Sequence, residues 1–94
     1  MIYTLVKGRH EHRDIVGVSA LFDTLESNRV FDFDYHKKVI HAKLTNHSEE
    51  LKLYVTGMTP VLISVINYCR LFNMPVVLYH YDKATKRYRA QSVV

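Results

Sequence analysis

At 94 residues and 11.0 kDa the chain holds a single domain and has no room for a second core. Apolar residues at 48% and charged residues at 23% make an ordinary globular composition and exclude a disordered chain. A formal net charge of +4 and a pI of about 9.3 favour polyanionic partners, nucleotides among them, over basic ones.

The lone Cys69 allows no internal disulfide. The opening "MIYTLVKGRHEHRD" lacks the apolar core and cleavage site of a signal peptide, and no apolar run reaches the roughly 18 residues of a membrane span. A cytoplasmic protein without membrane contact is expected. A chain this short buries a modest share of its surface, so self-association would add stability and a homodimer is expected.

In chain order, "MIYTLV" reads as a buried first strand, followed by the charged loop "KGRHEHRD". In "GVSALFDTLESN", Val18, Leu21, Phe22 and Leu25 fall at i, i+3, i+4 and i+7, which predicts a helix. "VFDFDYHKKVIHAKLTNHSEE" alternates at Phe31 and Phe33 and then turns helical, with Val39, Ile40 and Leu44 on one side and Asp34 as N-cap.

"LKLYVT" alternates again, a second strand. From Pro60 a helix carries Leu62, Val65, Ile66, Cys69 and Phe72 on a wide apolar face. Val61 and Ile63 make its first turn apolar almost all round, so burial on more than one side is expected. Asn73 and Pro75 end it. "VVLYHY" is a third strand, "DKATKR" a turn, and "YRAQSVV" a hairpin partner. The strand, helix and strand over residues 51–81 form a βαβ unit with parallel strands. The predicted fold is a small α/β domain with a mainly parallel sheet and a C-terminal β-hairpin.

The functional signal lies in "VTGMTP". Ligands of open α/β sheets bind beyond the carboxyl ends of strands, where helix N-termini point. Thr59 would cap the helix and Pro60 open it, where a missing N–H costs no hydrogen bond. Gly57 would let an anion approach the amides, with the helix dipole behind them and the Thr56 and Thr59 hydroxyls beside them. An ordinary capped turn explains the same residues without a ligand. Neither the phosphate-loop lysine nor the three-glycine dinucleotide spacing is present.

If the first two strands are parallel neighbours, the loop "KGRHEHRD" lies beside this turn. Arg9 would then clamp a phosphate through two hydrogen bonds, and His10 or His12 would move a proton near neutral pH. A solvated charged loop is the plainer alternative.

The histidines His10, His12, His36, His41 and His47 lack the repeated close pairs of a zinc site, and Cys69 falls on an apolar helical face. No metal or cofactor is expected. No Ser–His–Asp signature or pair of catalytic carboxylates stands out. In "LYHYDKATKRYRAQ", Tyr79, Tyr81 and Tyr88 are interleaved with basic residues; Tyr81 is a candidate for stacking on a nucleobase, while a hairpin with cross-strand aromatic pairs is the plainer explanation of the stretch.

An apolar strand, a "TG-x-T" turn over Thr56, Gly57, Met58 and Thr59, an apolar helix and a strand ending in aromatics resemble the later half of CRISPR-associated Rossmann-fold (CARF) domains. The pattern is closest to the small stand-alone ring nucleases of type III CRISPR systems, some of which carry an arginine–histidine pair after the first strand, here Arg9 and His10. The resemblance covers residues 1–12 and 51–82. It departs from the usual "TGGTK" at Met58 and Pro60.

The resemblance implies a Rossmann-like fold and a homodimer that binds a cyclic oligoadenylate across its two-fold axis. It also implies metal-independent cleavage, in or against bacterial antiviral signalling. Arg9 and His10 would be catalytic, with Thr56, Gly57, Met58, Thr59, His12 and Tyr81 holding the ligand. A non-catalytic sponge or sensor for such a messenger would need the same pocket. An interaction module that packs the apolar helix on a partner would need none. No long nucleic acid is expected as partner.

Overall fold

Five strands form one sheet in the order β2-β1-β3-β4-β5: β1 (Ile2–Val6), β2 (Ala20–Phe22), β3 (Leu51–Tyr54), β4 (Val76–Asp82) and β5 (Arg87–Ser92). The first four are mutually parallel, and β5 returns antiparallel on β4. Two helices, α1 (Phe33–Leu44) and α2 (Thr59–Leu71), connect β2 to β3 and β3 to β4. The computed structural model describes residues 1–7, 18–47 and 49–93. Among the described residues no helix is long and apolar enough to cross a membrane.

The predicted helix at Val18–Leu25 is a strand. Ala20, Leu21 and Phe22 are all buried, and β2 pairs parallel with β1 through Thr4↔Ala20 and Val6↔Phe22. Consecutive burial has no period, so the four apolar residues Val18, Leu21, Phe22 and Leu25 fitted a helix template by chance of spacing. Tertiary pairing decides the matter, because β1 would otherwise present a bare edge. A 3₁₀ turn, Ser27–Arg29, follows.

The cap of α1 also differs from expectation. Asp32, not Asp34, holds the helix start: its Oδ1 accepts from the Tyr35 N–H at 3.1 Å and its Oδ2 from Arg29 at 2.7 Å. Asp34 lies inside the first turn, where its charge suits the helix dipole. Phe31 and Phe33 belong to no strand and are 71% and 59% exposed. The buried residues of α1 are His36, Ile40 and Leu44, one face at intervals of four. Burying Ile40 and Leu44 stabilises the fold by about 1.5–3 kcal/mol each.

On α2 the buried set is Val61, Val65, Tyr68 and Cys69. These pack with Leu51, Leu53, Val76 and Leu78 of the sheet and with Ile40 and Leu44 of α1. The expected burial on several sides does not occur, since Ile63 is 49% and Leu71 62% exposed. One face suffices because α1 covers only one flank of the helix.

The end of α2 is a Schellman motif. Asn73 is left-handed at φ 54°, the Met74 N–H donates to the Cys69 carbonyl at 2.8 Å, and the Asn73 N–H donates to that of Arg70 at 3.3 Å. The accompanying apolar contact is Cys69 Sγ to Met74 Sδ, 4.0 Å.

The caps can be told apart by stability. The Tyr35 N–H first, and then Arg29, hold the Asp32 carboxyl below its ordinary range. A depressed carboxylate contributes stability above its unfolded pKa and loses it as pH falls through the folded value. Asp32→Ala is therefore expected to lower the urea midpoint more than Asp34→Ala at pH 7, with the gap closing below about pH 4. Chemical denaturation of the two variants at pH 7 and pH 3 checks this.

Candidate functional site

The turn after β3 is shaped by two consecutive left-handed residues. Gly57 has φ 94° and Met58 φ 58°, after which Thr59 and Pro60 begin α2. Such a value suits glycine, which has no Cβ to clash. Met58 accepts it because its side chain packs against the core. Met58, not Thr59, occupies the cap position, and no side chain caps the helix. The positive φ values swing the chain into α2 one residue earlier than the Thr-Pro pair predicts.

This shift changes which amides are offered. A helix start leaves four N–H groups without intrahelical partners, here at Met58, Thr59, Pro60 and Val61. Pro60 has no N–H, and the Val61 N–H turns back onto the Met58 carbonyl at 3.0 Å, sharing it with that of Leu62. The outward-facing donors expected after Pro60 are therefore engaged. The amides before Pro60, those of Met58 and Thr59, are the ones the helix geometry leaves.

Thr56 is 3% exposed, and its Oγ1 is buried without a hydrogen-bond partner. An unpaired buried hydroxyl costs free energy in the ligand-free chain. Thr59 is exposed and Met58 half-buried.

The sheet brings this turn beside the outlet of β1. Thr4 pairs with Tyr54, β1 ends two residues later at Val6, and the turn begins two residues past Tyr54. The Lys7 N–H donates to the Phe22 carbonyl at 2.9 Å as the chain leaves the strand. Arg9, His10 and His12 lie outside the described residues.

Tyr81 stands at the same carboxyl edge, one strand farther along. It lies two residues past Tyr79, which pairs with Tyr54. Alternation places Tyr54, Tyr79 and Tyr81 on the face opposite Leu53 and Leu78, and thus away from α2. The Tyr81 ring meets Tyr88 at 5.3 Å, Tyr88 meets Tyr54 at 4.8 Å, and Tyr54 meets Tyr79 at 5.2 Å. The cross-strand aromatic hairpin is thus present, with β5 as the edge strand. Asp82 organises its bend by accepting from the Ala84 N–H at 3.0 Å. The Thr85 hydroxyl, ahead of that amide, holds the Asp82 carboxyl below its ordinary range.

The histidines weighed as ligands are engaged elsewhere. His36 is fully buried between the rings of Phe22 and Phe33, each at 5.7 Å. Its Nε2 meets the Arg29 carbonyl at 2.7 Å and its Nδ1 meets Ser64 Oγ at 2.9 Å. His41 Nδ1 bonds the Tyr68 hydroxyl at 2.9 Å. Among the described residues no group of three or more His, Cys, Asp or Glu is placed to hold a metal ion.

The sequence reading missed the contact of His36 with Ser64, which lie 28 residues apart. One signal was available: both occur on helical faces that otherwise carry apolar residues.

Comparison of the chain with family models, curated proteins and solved structures gave no match.

Two substitutions test the turn with opposite signs. Gly57→Ala is expected to lower stability by about 1–2 kcal/mol, because a Cβ must adopt the left-handed region. Thr56→Val is expected to raise it by roughly 1 kcal/mol, because the unpaired hydroxyl is removed. Urea midpoints of the ligand-free variants check both.

Proposed function

We propose that the chain binds and cleaves a cyclic oligonucleotide, as the ring nucleases that its residues resemble do. The reading rests on one observation: β1 and β3 are parallel neighbours, so the chain leaves β1 beside the Thr56–Thr59 turn, a few residues ahead of Arg9 and His10 in the sequence. Strand order reverses direction between these two strands, and open α/β sheets bind ligands beyond the carboxyl ends at such a point. That order supports a small Rossmann-like, CARF-like reading of the sheet.

The substrate would supply its own nucleophile. Each 3′–5′ linkage carries an adjacent 2′-OH; its oxygen attacks phosphorus, the bond to the 5′-oxygen breaks, and a 2′,3′-cyclic phosphate forms. The protein then has to hold the line of attack and stabilise charge on the phosphoryl oxygens. The Met58 and Thr59 amides and Arg9 suit the second task. His10 suits removal of the 2′-OH proton or its delivery to the leaving oxygen. The unpaired Thr56 hydroxyl would gain an acceptor on binding, after a turn about χ1. Tyr81 stacks a base from the opposite face of the same edge. A homodimer presents this patch twice to a symmetric ring.

The experiment is a panel of cyclic oligonucleotides scored for thermal shift and for products in EDTA. Binding with release of 2′,3′-cyclic phosphate ends is expected. His10→Ala is expected to slow single-turnover cleavage by about 10²–10⁴-fold with affinity largely kept. Arg9→Ala is expected to reduce both. Recovery of an intact, tightly bound ring leaves a sponge. Metal-dependent cleavage that survives loss of His10 rules out the mechanism, and a monomer mass by light scattering rules out the two-fold site.

A further inference from the structure

Between α1 and α2, Ser64 and His36 form a hydrogen-bonded pair. Ser64 Oγ lies 2.9 Å from His36 Nδ1, and His36 Nε2 lies 2.7 Å from the Arg29 carbonyl. A carbonyl only accepts, so Nε2 carries the proton of the neutral ring and Nδ1 presents its lone pair to Ser64. The Arg29 carbonyl thus takes the orienting role that a carboxylate takes in a serine–histidine–aspartate triad. The rings of Phe22 and Phe33 fix the imidazole from its edges.

Ser64 of this pair faces a groove, and the fully buried His36 lies behind it. Ser64 is half-buried and lines a space of about 240 Å³ between the helices, with Phe33, Asp34, Lys37, Asn67 and Leu71 around it. Phe33 and Leu71 give apolar walls, and both are more than half exposed. The Asn67 amide, from α2, and the Lys37 ammonium, from α1, line the same groove as donors able to meet developing negative charge.

Ser64 has a second acceptor, the Pro60 carbonyl at 3.1 Å, one turn back along α2. Its single proton can serve only one of the two acceptors. Given to Nδ1, it primes the oxygen as a nucleophile. When His36 holds that proton, both ring nitrogens donate, to Ser64 and to Arg29. The imidazolium formed in a reaction therefore finds both of its hydrogen bonds already in place.

The geometry points to an acyl-transfer site for small carboxylic esters, with Ser64 as nucleophile and His36 as general base. Ser64 Oγ bonds to the ester carbonyl carbon while its proton passes to Nδ1. The bond from that carbon to the leaving oxygen then breaks, and Nδ1 returns the proton to the departing alcohol. Water attacks the acyl-serine, giving its proton to Nδ1; the carbon–Oγ bond breaks, and Ser64 recovers the proton. This site shares no side chain with the proposed nucleotide site.

A fluorophosphonate probe and p-nitrophenyl acetate test it on the full chain. An unassisted serine reacts slowly with either reagent. The expected result is a single phosphonyl adduct on Ser64, located by peptide mass spectrometry, and ester turnover that Ser64→Ala abolishes. His36→Gln is expected to slow both by about 10²–10⁴-fold. The same slowing is expected for the unmutated chain in concentrated urea, which removes the pairing without a substitution. No adduct on Ser64 of the folded, unmutated chain overturns the proposal. So does labelling at an equal rate in urea or in a folded His36→Gln variant.

Discussion

Parallel pairing of β3 with both β1 and β4 constrains everything built around it. Parallel neighbours cannot be joined by a tight turn, so each step across the sheet needs a crossover long enough to hold a helix. The two crossovers that advance in the same direction lay α1 and α2 side by side on one face, where Leu51, Leu53, Val76 and Leu78 meet them. The same pairing collects the carboxyl ends of β1 and β3 at one edge. The packing of the two helices and the shared carboxyl edge are thus two products of a single arrangement of hydrogen bonds.

The seam between the helices is more polar than a domain of this size requires. Ile40, Leu44, Val61 and Val65 supply the apolar packing, yet His36 with Ser64 and His41 with Tyr68 cross the same seam as hydrogen-bonded pairs. Polar pairs in a seam add little net stability, but they fix how one helix is rotated against the other. At His36 the seam is also unforgiving, since removing its partner strands a ring nitrogen in a fully buried place.

Much of the fold was legible in the sequence, and the errors have identifiable causes. The alternation of "LKLY", the change of period after Pro60 and the Asn73–Pro75 stop are local signals, and β3, α2 and its Schellman end follow them. The segment at Ala20–Phe22 was misread because its conformation is set by β1, sixteen residues away at Thr4↔Ala20. The caps slipped by one or two residues because Asp32 and Asp34, or Met58 and Thr59, are separated only by backbone angles and not by composition. At the candidate turn, Gly57 takes the positive φ that glycine permits. The consecutive left-handed Met58 was not legible, because its tertiary packing favours what its residue type does not. The pairing of Ser64 with His36 lies beyond any local pattern, since it depends on how two helices are set against each other.

The Schellman end of α2 leaves the only thiol of the chain against Met74, fully enclosed, and burial pushes the Cys69 thiol up to about 11. At neutral pH its thiolate fraction is therefore on the order of 10⁻⁴. An alkylating reagent meets two barriers at once, an unreactive protonation state and a closed shell of side chains. Both disappear together when the last turn of α2 unwinds. The chain thus carries an internal clock: the rate at which Cys69 is alkylated under native conditions counts how often that helix end breathes open.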